Sequence, residues 1–138
     1  MTQIILAVSG SISAYKAADI TSRLKKENFE VAILMTEAAT EFITPLTLQV
    51  LSQRPVAIDI MQEPDPSKVN HIDIAKESDL FLLAPATANT IAKLANGLAD
   101  NMVTATALAL PIQTKKILAP AMNTQMYENP ITQQNIDR

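Results

Sequence analysis

Residues 3–26 read QIILAVSGSISAYKAADITSRLKK and join an apolar run to an amphipathic one through a short loop that contains a glycine. The apolar run, residues 4–8, is uninterrupted, which is typical of a strand in a parallel sheet covered on both faces. The stretch therefore predicts a β-strand, a tight turn at Gly10 and a helix with one face of small and apolar side chains. That face carries Ala14, Ala17, Ala18, Thr21 and Leu24.

Three more apolar runs follow, with helical stretches between them. They cover residues 31–35, 80–84 and 116–119, and a weaker fifth run covers residues 56–60. Alternating strands and helices predict an α/β fold: a doubly wound, flavodoxin- or Rossmann-like parallel sheet with helices on both faces. Ligands bind to such sheets beyond the carboxyl ends of the strands.

Local signals set the expected limits of several helices. Thr44 followed by Pro45 predicts a helix start, and we expect Asn70 and Asp100 to be the N-caps of two later helices. Residues 61–69 contain two prolines and mixed charge, which is typical of a loop. From residue 43 to residue 50, apolar spacing predicts a helical stripe that faces the core. It consists of Ile43, Leu46, Thr47 and Val50.

Composition narrows the class of protein. The chain has 138 residues, 48% hydrophobic and 18% charged, with a net charge of −3. This argues against disorder and against a nucleic-acid-binding protein, which is usually basic. No cysteine and one histidine are present, so we expect neither disulfides nor a metal site. No apolar run reaches the roughly 20 residues that span a bilayer, and the first residues resemble a strand rather than a signal peptide. We expect a cytoplasmic protein.

Four segments follow the predicted strands: residues 9–13, 36–38, 85–90 and 120–123. They are rich in small residues, hydroxyls and amides, and none contains lysine or arginine. Neither a G-x-G-x-x-G nor a G-x-x-x-x-G-K-[ST] pattern occurs, which disfavours dinucleotide and nucleoside triphosphate binding. The start of the helix at residues 87–90 could hold a phosphate through its free N–H groups, or its polar side chains could simply cap the helix.

Three side chains are candidates for chemistry. His71 is the only side chain whose ordinary pKa lies near neutrality, and it is either an acid/base or a structural residue. Asn123 can clamp a carboxylate or an amide. Met122 and Met126 are four residues apart and either cover a flat ring or fill the core.

Taken together, four segments resemble the flavin-dependent cysteine decarboxylase family across essentially the whole chain. They are GSISAYK (residues 10–16), His71 with Ile72, PATANT with the later GLADNMVTA (85–90 and 97–105), and PAMNTQMYENP (120–130). The resemblance implies flavin mononucleotide (FMN) at the carboxyl ends of the strands. The positions that match the family's flavin-contacting turns are Gly10, Ser11, Ile12, Thr36, Glu37, Ala38, Thr87, Ala88, Asn89, Thr90 and Ala121.

The resemblance also implies a reaction in coenzyme A biosynthesis. The flavin would oxidise the thiol of 4′-phosphopantothenoylcysteine, carbon dioxide would leave, and the reduced flavin would return the electrons to give 4′-phosphopantetheine. His71 would be the catalytic acid/base, Asn123 would hold the substrate's carboxylate and amide, and Met126 would shape the pocket. The implied assembly is a homotrimer or a multiple of trimers with the site between subunits, and the implied partner is a phosphopantothenoylcysteine synthetase, fused or separate.

The sequence departs from the family in two respects. The cysteine-bearing C-terminal flap that donates a proton in the reduction step has no counterpart, and Tyr127 stands where tryptophan is usual. We therefore expect residues 1–138 to form one flavin-binding decarboxylase domain that does not complete the full cycle. The alternatives are a flavin-binding regulatory subunit, a flavin prenyltransferase or peptidyl-cysteine decarboxylase, and an electron-transfer flavoprotein.

Overall fold

A sheet of four parallel strands lies at the centre of the molecule. The computed structural model describes residues 2–58 and 70–138, without the side chains of Asn70 and His71. The strand order is β2-β1-β3-β4, and every pairing is parallel. All four main apolar runs are therefore strands, as predicted. They are β1 (Gln3–Val8), β2 (Glu30–Met35), β3 (Leu80–Ala86) and β4 (Lys115–Pro120).

Helices connect the strands and cover both faces of the sheet, which confirms the predicted α/β fold. Short 3-10 turns at Ile12–Tyr15 and Ala38–Glu41 precede the first two helices. No helix among the described residues is long and apolar enough to cross a membrane. The helices are α1 (Lys16–Lys26), α2 (Pro45–Ser52), α3 (Asn70–Glu77), α4 (Ala88–Ala95), α5 (Met102–Ala109), α6 (Thr124–Glu128) and α7 (Pro130–Asp137).

The position of β1 in the sheet explains why the apolar run at residues 4–8 is uninterrupted. Its residues alternate between two core clusters, because successive side chains of a strand point to opposite faces. Ile5 and Ala7 belong to one cluster, with residues of α5, whereas Leu6 and Val8 belong to the other, with Ala17 of α1 and with α2. Both faces of β1 are therefore buried from Ile4 to Val8, and none of these five positions carries a polar residue.

The start of α2 is as predicted, but its buried face is not. Thr44 accepts a hydrogen bond from the N–H of Thr47, and Pro45 is the first helical residue. The core-facing residue is Leu48, whereas Leu46 and Val50 are each 67% exposed, so the predicted stripe is wrong. Apolar residues occur on both faces of α2, and spacing alone could not tell which face packs on β2.

Two smaller expectations also change. The weak fifth run contributes one parallel bridge, in which Ala57 pairs with Leu34 at the outer edge of β2. Asn101, not Asp100, caps α5, and it exchanges hydrogen bonds with Thr104 in a capping box. Asn70 is the first described residue of α3 and its side chain lies outside the described part of the chain, so its role as N-cap stays a prediction. The predicted loop at residues 61–69 lies outside the described residues.

Replacing Leu48 by alanine tests which face of α2 is buried. Leu48 is fully buried, so Leu48→Ala should lower the free energy of unfolding by about 2–5 kcal/mol through lost burial and a residual cavity. Leu108→Ala is the matched control, since Leu108 is 63% exposed and its truncation should change stability by less than about 0.5 kcal/mol. Urea denaturation of both variants measures the difference, and equal losses would contradict the assigned face.

Candidate functional site

A cleft of about 360 Å³ opens at the carboxyl ends of the strands. It lies where the chain changes direction across the sheet, because β1 is flanked by β2 on one side and by β3 on the other. This is the position at which doubly wound sheets bind ligands. The cleft is lined by Gly10, Thr36, Glu37, Ala38, Ile58, Thr87, Asn89, Thr90, Lys93, Asp100 and Asn101.

Gly10 brings two walls of the cleft together. A Cβ atom at this position would lie 2.6 Å from the Cβ of Ala38 and 3.0 Å from its carbonyl carbon. Real Cβ atoms essentially never approach that closely, so any side chain here would push the loop after β1 away from the loop after β2. The glycine is needed for the close approach of two backbones rather than for an unusual dihedral angle.

The third wall is the start of α4. Thr87 is the N-cap, and its hydroxyl accepts a hydrogen bond from the N–H of Thr90. The N–H groups of Ala88 and Asn89 have no hydrogen-bond partner in the part of the chain that the structure describes. Capping and anion binding are therefore compatible here: Thr87 satisfies one helical N–H group and leaves two others for a ligand.

One ion pair borders the cleft. The Lys93 ammonium lies 2.9 Å from a carboxylate oxygen of Asp100. The hydrogen bond from Lys93 is the main reason that the pKa of Asp100 lies below its usual value, so the carboxylate is ionised at neutral pH. Lys93 is the one basic side chain among the described lining residues, and Asp100 offsets its charge.

The cleft is lined by residues from three of the four strand-end segments predicted from the sequence, those after β1, β2 and β3. Seven of the eleven proposed cofactor residues line it: Gly10, Thr36, Glu37, Ala38, Thr87, Asn89 and Thr90. The other four do not. Ser11 caps the first 3-10 turn, and Ile12 is 82% exposed. Ala88 is the first residue of α4, directly after the N-cap Thr87. Ala121 donates its N–H to the carbonyl oxygen of Ala86, beside the cleft.

Four lining residues were not predicted from the sequence as part of the site: Ile58, Lys93, Asp100 and Asn101. Lys93 could have been found, because it lies four residues after Asn89 and therefore on the same face of α4. Asp100 and Asn101 enter the cleft because the loop between α4 and α5 returns to the carboxyl edge of the sheet, which no local pattern reveals.

Of the proposed catalytic residues, Asn123 and Met126 are not among the described residues that line the cleft. His71 is the second residue of α3, and its side chain lies outside the described part of the chain. Because α3 leads into β3, its first turn lies towards the edge at which the strands end. Asn123 caps α6 by accepting a hydrogen bond from the N–H of Met126 at 2.9 Å, and Met126 is 46% exposed. Among the described residues no cluster of side chains could hold a metal ion.

Comparison with protein families identifies the family of this chain. The model of the family described as flavoprotein matches residues 1–138. The chain belongs to the flavoprotein family.

Named relatives of this flavoprotein fall into two groups. A probable phosphopantothenoylcysteine decarboxylase of Streptococcus mutans is 63% identical over 134 residues, which are 97% of this chain and 75% of that protein. The coenzyme A biosynthesis bifunctional protein CoaBC of Bacillus subtilis is 47% identical over 133 residues, which are 96% of this chain. The flavoprotein chain spans 32% of the length of the bifunctional protein.

Solved structures of flavin-dependent enzymes share the fold. The FMN-dependent cysteine decarboxylase SpaF superimposes with a TM-score of 0.91 at 28% identity, over 99% of this chain and 78% of that one. A PPC decarboxylase mutant complexed with pantothenoylaminoethenethiol has a TM-score of 0.84 at 31% identity, over 98% of this chain and 75% of that one. The flavoprotein fold predicted from the sequence is therefore confirmed.

Substituting Gly10 tests whether the close approach of the two loops forms the binding site of this flavoprotein. Gly10→Ala should weaken FMN binding at least about tenfold, because the added methyl group separates two walls of the cleft. Titration of flavin fluorescence measures the affinity. Gly97→Ala is the control: Gly97 has φ +71° and open space around it, so alanine there should cost stability, about 1–2 kcal/mol, without weakening FMN binding. Unchanged affinity in Gly10→Ala would refute the assignment.

Proposed function

We propose that this chain is an FMN-dependent decarboxylase that converts 4′-phosphopantothenoylcysteine to 4′-phosphopantetheine in coenzyme A biosynthesis. The observation that carries the proposal is the cleft at the switch point of the sheet, in a chain that matches a named phosphopantothenoylcysteine decarboxylase over 97% of its length. The family, the fold and the names of the relatives support FMN as the cofactor.

The described residues fit a flavin mononucleotide. A volume of about 360 Å³ lies within the range of small-molecule sites, and Gly10 lets the loops after β1 and β2 approach closely enough to line it together. Hydroxyls of Thr36 and Thr90 and the free N–H groups of α4 are donors for a phosphate at a helix N-terminus, whereas the Thr87 hydroxyl donates to that of Thr90. A dianionic group can therefore be bound by neutral donors.

When bound, FMN would supply the two-electron redox chemistry, and the substrate would supply the reacting thiol. The protein itself needs no cysteine for the oxidation and decarboxylation, and the 138 residues contain none. We propose that His71 takes and returns the proton of the substrate thiol. Its place in the first turn of α3, before β3, is consistent with a site at the carboxyl edge of the sheet.

Asn123 is suited to holding the carboxylate that leaves. Its side-chain oxygen accepts the N–H of Met126, so the amide nitrogen remains as a donor for the substrate. A neutral donor orients a carboxylate without the strong stabilisation of its charge that a lysine or arginine would give. Because that charge disperses as carbon dioxide forms, a neutral donor stabilises the ground state relative to the transition state less than a cation would. Met126, in the same turn, would shape the adjacent pocket.

We also propose that the chain assembles as a homotrimer. Several large apolar side chains are exposed on elements that follow one another in the chain, and a contiguous apolar patch formed by them would be unusual for a monomer surface. Helices α1 and α2 pack on each other, and the first 3-10 turn leads directly into α1. A second copy would bury this face and deepen the pocket beside Gly10. The side chains are Ile12, Tyr15, Phe42, Leu46 and Val50.

Three further expectations are part of the proposal. Residues 1–138 act as one flavin-binding decarboxylase domain, the protein works in the cytoplasm, and a phosphopantothenoylcysteine synthetase provides its substrate. The names of the bifunctional relatives support a link between the two activities.

Replacing His71 tests its role in proton transfer. His71→Asn should lower the release of carbon dioxide from 4′-phosphopantothenoylcysteine by at least about 100-fold, since general acid/base groups typically contribute that much. The amount of bound FMN, measured from the visible spectrum, should not change. Glu77→Gln is the control on the same helix, because Glu77 is exposed and its variant should keep full activity. Equal activity of His71→Asn and the wild type would exclude the role.

Charged substitutions on α2 test the assembly. Leu46 and Val50 are on the exposed face of α2, so the double variant Leu46→Glu/Val50→Glu should shift the chain from trimer to monomer. Analytical ultracentrifugation measures the change. Leu108→Glu places the same charge on another exposed leucine, and this variant should remain trimeric. A monomeric wild-type chain, or a double variant that stays trimeric, would contradict the proposed interface.

A further inference from the structure

Ser9 connects two loops of the site but does not line the cleft. It is the first residue after β1 and is 1% exposed. Its hydroxyl donates a hydrogen bond to the carbonyl oxygen of Pro85 at 2.6 Å and accepts one from the N–H of Thr87 at 3.0 Å. Its own N–H donates to the same Pro85 carbonyl at 3.3 Å. One buried residue thus joins the end of β1 to the loop between β3 and α4.

These hydrogen bonds define the first turn of α4. Thr87 is the N-cap, and its N–H is directed to Ser9 while its hydroxyl binds the N–H of Thr90. The position of an N-cap sets where the next N–H groups lie, and here these belong to Ala88 and Asn89. Ser9 therefore fixes the two N–H groups that are free for a ligand.

The same residue sets the opposite wall of the cleft. Gly10 follows Ser9 directly, and Gly10 is the residue that approaches Ala38. The two walls can keep a constant separation because both are attached to Ser9, one through the backbone and one through the side chain. A hydroxyl at this position does more than satisfy a buried carbonyl, since that carbonyl already accepts the N–H of Ser9.

We propose that Ser9 is a positioning residue for the phosphate of the bound flavin nucleotide. It acts through Thr87, which it holds so that the N-terminus of α4 and the loop at Gly10 face a common anion. This inference rests on the proposed function, because it requires that the cleft binds FMN. The inference assigns Ser9 to the recognition of the phosphate and not of the ring, because Ser9 is not among the described residues that line the cleft.

The test compares FMN with riboflavin, which has the same ring and lacks the phosphate. The wild-type chain should bind FMN more tightly than riboflavin. In Ser9→Ala the N–H of Thr87 loses its acceptor, so the affinity for FMN should fall by about tenfold or more, whereas the affinity for riboflavin should change less than about threefold. Titration of flavin fluorescence gives both dissociation constants at a temperature well below the unfolding transition of each variant.

Thr21→Val is the matched control. Thr21 is fully buried in α1, and its hydroxyl donates to the carbonyl of Ala17 at 2.8 Å, away from the cleft lining. This variant loses a buried hydroxyl without touching Thr87, so both flavins should bind as they do to the wild type. If Ser9→Ala does not fold, Ser9→Cys gives the same comparison, because the thiol keeps the size of the side chain but is a weak hydrogen-bonding group.

The outcomes separate this inference from the proposed function. A selective loss of FMN affinity in the Ser9 variant supports the inference. An equal loss for both flavins, or no loss, overturns it while the wild-type preference for FMN leaves the proposed cofactor intact. A wild-type chain that binds neither flavin overturns the proposed function, and the inference fails with it.

Discussion

The carboxyl ends of β1 and β3 are bonded to each other at the centre of the sheet, and the geometry of the site depends on that connection. Ser9 makes it with hydrogen bonds to Pro85 and Thr87. Buried polar groups in a sheet protein must find partners, and here they find them between two loops rather than within one. As a result the loop at Gly10 and the start of α4 form opposite walls at a fixed separation. The glycine lets the loop after β2 pack against the loop after β1, and the start of α4 supplies free N–H groups for a ligand.

The charge of the cleft is consistent with the proposed chemistry. Apart from Lys93, whose charge Asp100 neutralises, the donors among the lining residues are neutral hydroxyl, amide and backbone N–H groups, and Glu37 adds a second carboxylate at the cleft. An anionic cofactor is then bound by directed hydrogen bonds and by the dipole of α4 instead of by a free positive charge. Asn123 is likewise a neutral donor, whose amide can orient a carboxylate that must lose its charge. A strongly basic site would hold such a substrate too well in its initial state.

The sequence predicted the strands and the strand-end turns because both depend on local features. Continuous apolar runs indicate strands that are buried on both faces, and the cap at Thr44 depends on one hydroxyl and one N–H group. The orientation of α2 was not predictable in this way. It depends on how the helix packs on β2, and α2 carries apolar residues such as Leu46 and Leu48 on both sides. Asp100 was wrongly expected to cap α5 because Asn101, its neighbour, is an equally good cap.

The cleft could be predicted in part because the ends of the strands are also a local feature of the sequence. Its three loops follow strands, so their meeting at one edge is a consequence of the parallel sheet. Ile58 joins it through tertiary packing, and Ser9 acts through a hydrogen bond to a residue 78 positions away. Neither relation leaves a pattern in a single sequence. The roles of His71 and Asn123 stay predictions from the family resemblance.

The most direct measurement for the whole account is the visible spectrum of the purified 138-residue chain after incubation with FMN and removal of unbound ligand. We expect the absorption bands of an oxidised flavin, and denaturation should release FMN in a ratio of about one per chain. A colourless protein that does not take up FMN would contradict the central claim that the strand ends form a flavin nucleotide site.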